Sequence, residues 1–295
     1  MVKRSMWILL TILAVAAPLA AQERAGAREG RDESDQRLTT ELRLQGWRFD
    51  NFFQASDPAL EQDIDALGAE LRFARAGSTG WLPYFRANYL DYSEEVLDPS
   101  FGGRVGVRYA GRPHRFEIYL DHQIDRPTFD IGDVFDTADV TTAVADYGLR
   151  FADDWELGLQ GEVQQQSFNE LEIKNNDFMG AGASLRFRGF GSMFSPEVGY
   201  MSGEREVDDP TETYDQTETY VQIRSAPAET VYLSLRYRMR GRDYSTDDVT
   251  SSNFGREDDR DQWALTADWR MLPRLTWNLY WATEDAQSTR VEREF

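Results

Sequence analysis

The chain has 295 residues, a net charge of −20 and a sequence pI near 4.5. It has no cysteine, so disulfide-stapled scaffolds are excluded, and so strong an acidic balance excludes nucleic acid as a partner. Only two lysines, Lys3 and Lys174, stand against thirty arginines, a bias toward planar, paired cation roles.

Residues 1–21 read as a cleaved secretory leader: Lys3 and Arg4 precede an apolar core from Trp7 to Ala17, and small residues precede Gln22. Residues 22–37 are polar and rich in Gly and Ala, which predicts a flexible lead-in. No later window is apolar for 18 residues, so no spanning helix is expected. From residue 38 to 295, short segments alternate apolar and polar residues with period 2. Segment 38–49 comes first. Next come the rows Leu67, Ala69, Leu71, Phe73 and Phe85, Ala87, Tyr89, then Val105, Val107, Tyr109 and Phe116, Ile118, Leu120. Ala143 to Phe151, Trp155 to Val163, Met179 to Phe187 and Phe194 to Tyr200 continue the pattern. Thr219 to Ile223, Val231 to Met239, Trp263 to Trp269 and Leu275 to Trp281 follow, and 287–295 is the final segment. This predicts about fourteen strands, with twelve or sixteen as alternatives.

The expected connections alternate. Short ones fall near 76–80, 111–113, 152–154, 189–192, 225–229 and 271–274. Long ones fall near 50–65, 93–101, 125–139, 167–177, 203–215 and 242–261, with a shorter one near 283–289. That is an up-and-down antiparallel sheet with two distinct rims. A soluble sandwich would bury the apolar rows between two sheets; a transmembrane barrel turns them to lipid and encloses the charged rows. Two observations favour the barrel. Trp47, Trp81, Trp155, Trp263, Trp269, Trp277 and Trp281 cluster toward segment ends, with Trp81, Trp155 and Trp263 expected to open theirs, as in an interfacial aromatic girdle. The long connections hold about 31 Asp/Glu against 6 Lys/Arg, so the strands and turns are slightly basic.

With its leader, ten-residue alternating strands, short turns, long acidic loops and terminal Phe295, the chain resembles bacterial outer-membrane β-barrel proteins of the porin type. The resemblance implies an outer-membrane location, short turns on the periplasmic side and long loops outside. It also implies Phe295 as an assembly signal for the barrel-assembly machinery, and contact with outer-membrane lipid and lipopolysaccharide. A monomer is expected.

Catalytic constellations are missing from the pattern. His114 falls in a turn and His122 on the outer face, so no Ser–His arrangement is predicted, and no cofactor and no enzyme activity are expected. The stretch 130–139 offers Asp130, Asp133 and Asp136 as candidate hard-cation ligands, without the spacing of a dedicated calcium loop.

The inward rows supply the candidate site. Arg72, Arg86, Arg104, Arg108, Arg115, Glu117, Glu156, Glu162, Arg236, Arg238 and Arg240 are expected to line a lumen whose inward rows together hold about 15 Arg against 12 Asp/Glu, nearly balanced. The second to fourth strands, carrying the rows Leu67 to Phe73, Phe85 to Tyr89 and Val105 to Tyr109, are expected across the lumen from 230–242. The arginines either pair with carboxylates as scaffolding or line a water-filled path with mild selectivity at most. The expected function is a porin-like channel for small polar solutes. The alternatives are a non-conducting surface-interaction barrel and the outer-membrane barrel of an export system.

Overall fold

In the computed structural model, the described residues are 11–15, 38–49, 64–75, 80–93, 98–129, 135–190, 193–272 and 275–289. Thirteen consecutive strands run from residue 38 to 288. They are β2 (Leu38–Phe49), β3 (Ile64–Arg75), β4 (Gly80–Tyr92), β5 (Ser100–Ala110), β6 (His114–Phe129), β7 (Phe135–Ala152) and β8 (Trp155–Phe168). Then come β9 (Asn176–Phe187), β10 (Ser195–Val207), β11 (Tyr214–Ala228), β12 (Val231–Tyr244), β13 (Glu257–Leu272) and β14 (Leu275–Ser288). Each is antiparallel to its sequence neighbour, so the sheet is up-and-down throughout. A short strand β1 (Thr11–Val15) lies between β14 and β2, with Ile12 opposite both Asn278 and Gln45, and completes the ring.

The faces follow from the alternation. Leu67, Phe85, Val105, Ile118, Leu120, Leu159, Val163, Val198, Val221, Leu235 and Met239 are exposed large apolar side chains, all on the outward parity. Asp121, Glu156 and Glu197, on the inward parity, are buried. A soluble sandwich would reverse this exposure. Greasy outside and charged inside is the arrangement of a barrel that spans a bilayer.

A tilted strand needs about 9–11 residues to cross the hydrocarbon, yet these strands have 11 to 18. The excess is on the long-loop side. Phe129 pairs with Phe135, so the long connection expected at 125–139 shrinks to residues 130–134. That expected at 242–261 shrinks to 245–256, and β14 continues through the break expected near 283–289. Polar sequence alone cannot mark a strand end here, because above the bilayer the outer face of a strand meets water. Trp263 therefore does not open its strand as expected; β13 begins six residues earlier, at Glu257. Of the final segment 287–295, residues beyond 289 lie outside the described residues, as do residues 22–37.

Aromatic rings mark both edges of the apolar band. Near the short turns, Trp81 packs on Tyr109 at 5.1 Å, and Trp155, Phe187, Phe190 and Phe194 form a chain of rings 4.9, 5.2 and 5.8 Å apart. Trp269 stands opposite Trp277 at the same rim, and Trp281 opposite Leu265 farther up. Toward the loops, Tyr89 packs on Phe101 at 5.0 Å and Trp263 on Tyr237 at 4.6 Å. The backbone of Trp47 pairs with Ala66; its side chain is outside the description.

The loop rim is fastened along one side. Asn169 donates to Asp125 and Thr137, Lys174 pairs with Glu212, and Asn253 donates to the Thr211 carbonyl at 3.0 Å. At its end Arg256 makes a fork to Asp258, with Nε–Oδ1 at 2.9 Å and Nη2–Oδ2 at 2.7 Å, stacked 4.5 Å over the Tyr244 ring. Both partners are buried, and Tyr244 donates to Asp258 as well.

Candidate functional site: the barrel lumen

Because inward side chains repeat every second residue, cross-strand register sets which charges meet. Two rows dominate. On β2 to β6, Glu41, Arg72, Arg86, Arg104 and Asp121 stand opposite one another in turn. On β8 to β12 the row is Glu156, Arg186, Glu197, Gln222 and Arg236. In a fourteen-strand ring β5 and β12 are seven positions apart, so the two walls face each other across the barrel, as expected for the strands with the rows Leu67 to Tyr109 and for 230–242.

On the first wall, Arg104 Nε donates to Asp121 at 2.8 Å, and Arg86 lies 3.6 Å from Asp121 and 3.5 Å from Glu70. Glu117 accepts from the Tyr84 hydroxyl at 2.7 Å. Arg72 and Arg108 line a cavity of about 170 Å³ with Arg86, Arg104 and Glu117. On the other wall, Glu156 gathers Arg188 at 2.7 Å, Arg115 at 3.5 Å and Arg186 at 3.8 Å. Arg188 lies in the β9–β10 turn, where burial lowers its pKa and Glu156 opposes the shift. Glu197 accepts from Arg186, from Arg224 at 2.9 Å and from the Tyr220 hydroxyl at 2.8 Å.

Arg236, Arg238 and Arg240 do project inward, and all three converge on one carboxylate. Glu218 lies 2.9 Å from Arg236, 3.5 Å from Arg238 and 3.0 Å from Arg240. Arg238 also donates to Gln262 at 2.6 Å. Three cations on one anion leave these four side chains with an excess of positive charge. These arginines, with Arg115 and Glu162, line a second cavity of about 800 Å³.

Small inward residues of the same wall, Gly158, Gly182 and Ser184, line that cavity with them. Two tyrosines keep the walls flat. Tyr220 lies against Gly199, where a Cβ would sit 2.3 Å from the ring, and Tyr84 lies against Gly106, where it would sit 2.6 Å away. Arg236 then stacks on Tyr220 at 4.2 Å, and Arg104 on Tyr119 at 4.0 Å. The sequence analysis did not select these tyrosines. Their signal is an inward-parity Tyr opposite a Gly of the next strand, readable only once register is known.

His114 and His122 stand apart from the lumen: they hydrogen-bond to Tyr147 and Thr141, at 2.8 and 2.9 Å, and are exposed. Of the candidate cation ligands, Asp130 and Asp133 lie outside the described residues, and Asp136 pairs within β7 opposite Thr128. Among the described residues no group of acidic or histidine side chains is placed to hold a metal ion.

No family model matches the chain, and no curated protein matches it. Among solved structures it is similar to outer-membrane expressed OmpT of Vibrio cholerae, at 9% identity and TM-score 0.41 over 96% of this chain and 97% of that one. It is similar also to OccAB3 of Acinetobacter baumannii, at 7% identity and TM-score 0.40, over 96% and 98% of the two chains. A third is an anion-selective porin from Comamonas acidovorans, at 10% identity and TM-score 0.35, over 97% and 99%.

Proposed function

We propose that this protein is an outer-membrane channel through which small polar or charged solutes diffuse passively. The observation that carries the reading is the pairing of a lipid-exposed apolar surface with a lumen lined by Arg and carboxylate that holds an 800 Å³ cavity. A barrel filled for stability alone would pack its interior with side chains; here Gly158, Gly182 and Ser184 leave space along the same wall as the arginines of β12. The work proposed for the site is transport, in which side-chain charge shapes the field along the path.

The remaining parts of the proposal follow from that location. Residues 1–21 act as a leader removed on export, and residues 22–37 are a periplasmic lead-in. Removal of the leader takes Thr11–Val15 out of the ring, so closure in the mature monomer rests on β2 and β14. Phe295 serves as its assembly signal for the barrel-assembly machinery, and outer-membrane lipid and lipopolysaccharide surround the apolar band.

The test is conductance of the purified, detergent-refolded protein in planar bilayers. Stepwise ohmic channels are expected. A protein that folds to a heat-modifiable barrel yet gives no conductance would sink the channel reading.

A further inference from the structure

The inward rows hold nearly equal numbers of cations and carboxylates in sequence, but the two signs are not equally presented to the lumen. In eleven Arg–carboxylate pairs of the lumen the arginine is the more exposed member. Arg104 is 26% exposed against 7% for Asp121, Arg115 43% against 9% for Glu156, and Arg236 36% against 12% for Glu218. The same order holds for Arg86 with Glu70, Arg188 with Glu156 and Arg224 with Glu197.

The cause is side-chain length. A carboxylate on one or two methylenes stays near the barrel wall. An arginine from the next strand carries its guanidinium over that carboxylate and hydrogen-bonds back to it, its outer edge turned to the lumen. Tyrosine reinforces the arrangement, because Tyr220 and Tyr119 support the undersides of Arg236 and Arg104. The cavity linings show the net result. The larger cavity is lined by ten arginines and four carboxylates, Asp146, Glu162, Glu197 and Glu218; the smaller by five arginines and two glutamates.

We infer that the lumen selects small anions, with the guanidinium wall of Arg236, Arg238 and Arg240 around Glu218 as its principal selectivity element. This rests on the channel reading above and names its solute class. It replaces the mild or absent preference expected from a balanced charge count. A permeating ion in the cavity lies within about 8 Å, one Debye length at physiological salt, of several guanidinium groups, so screening does not erase their excess. Chloride, a monovalent anion of the kind these groups attract, is the natural probe.

The experiment is the reversal potential of single channels across a potassium chloride gradient, for the full mature chain. Wild type is expected to pass chloride at least about threefold more readily than potassium. The variant with Arg236, Arg238 and Arg240 all changed to Gln is expected to lose that preference or invert it. Glu218→Gln keeps the three arginines and removes their shared anion, so it is expected to shift the reversal potential further toward chloride. The opposite direction of this single variant makes the test independent of whether the triple variant folds. A conducting wild type that prefers potassium, or a Glu218→Gln channel that moves toward potassium, overturns the anion reading and leaves the channel reading standing. Absence of conductance overturns both.

Discussion

On the lumen side of β8 to β10, Glu156, Arg186 and Glu197 stand in one cross-strand row, each carboxylate beside a cation. On the outer side of β9 to β14, above the aromatic edge, the rows carry one sign. Asp177 stands opposite Glu206, Glu204 opposite Asp215, Asp215 opposite Asp243, Asp243 opposite Glu257, and Asp261 opposite Asp285. All eight carboxylates are exposed. The outer rows thus repeat one sign where the lumen row of β8 to β10 alternates, and where the lumen does oppose like charges, as with Arg86 and Arg104, a carboxylate, Asp121, lies beside both. Like charges directly opposed are destabilising where they cannot be screened, and salt water screens the outer rows while an enclosed lumen does so less. The difference also locates the membrane: the outward parity turns from Trp263 to Asp261 in a single step of two residues along β13.

Variants on either side of that boundary can break the contrast. The largest effect is expected where burial is deepest, at the rim pair of Arg256 and Asp258. Asp258→Asn leaves a buried guanidinium with half its fork, and should cost about 3–5 kcal/mol. This would be read as a lower urea midpoint for the barrel in detergent; a midpoint equal to wild type would mean that the fastened rim contributes nothing to folding. Next is the lipid face. Leu159→Arg, at the centre of the apolar run from Trp155 to Val163, should cost about 2–4 kcal/mol in lipid vesicles, against roughly 0–1 for Gln165→Arg, which lies above the edge. Equal costs at the two sites would misplace the boundary. The smallest effect belongs to the outer acidic rows. Asp243→Asn relieves repulsion from both Asp215 and Glu257 and should change stability by less than about 0.5 kcal/mol, in the stabilising direction. The gain should fade as salt rises; a clear loss would show that the row is held by something other than solvent.

Much of this architecture was legible in the chain. Leu233, Leu235 and Met239 against Arg236, Arg238 and Arg240 announce two chemically different faces without reference to any neighbour. The alternation of short and long connections announces the up-and-down order. Strand ends were less legible. The outward positions of Asp243, Glu257 and Asp259 look like loop residues, because a strand that has left the bilayer no longer needs apolar outward side chains. Arg256 and Asp258 gave no signal at all in "GREDDRD": only one of its four acids turns inward to meet Tyr244, and parity along β13 decides which.

What the sequence by itself determined is the identity of each face, because period 2 is a local property of extended backbone. A residue's side of the sheet follows from its parity with its own neighbours. Only the tertiary structure decided which carboxylate lies beneath which guanidinium. That depends on register between strands whose paired residues lie as much as 41 positions apart, on glycines such as Gly199 that let Tyr220 lie flat, and on the reach of arginine over the shorter acids. A near-neutral count of inward charges thereby became a lumen surfaced with guanidinium.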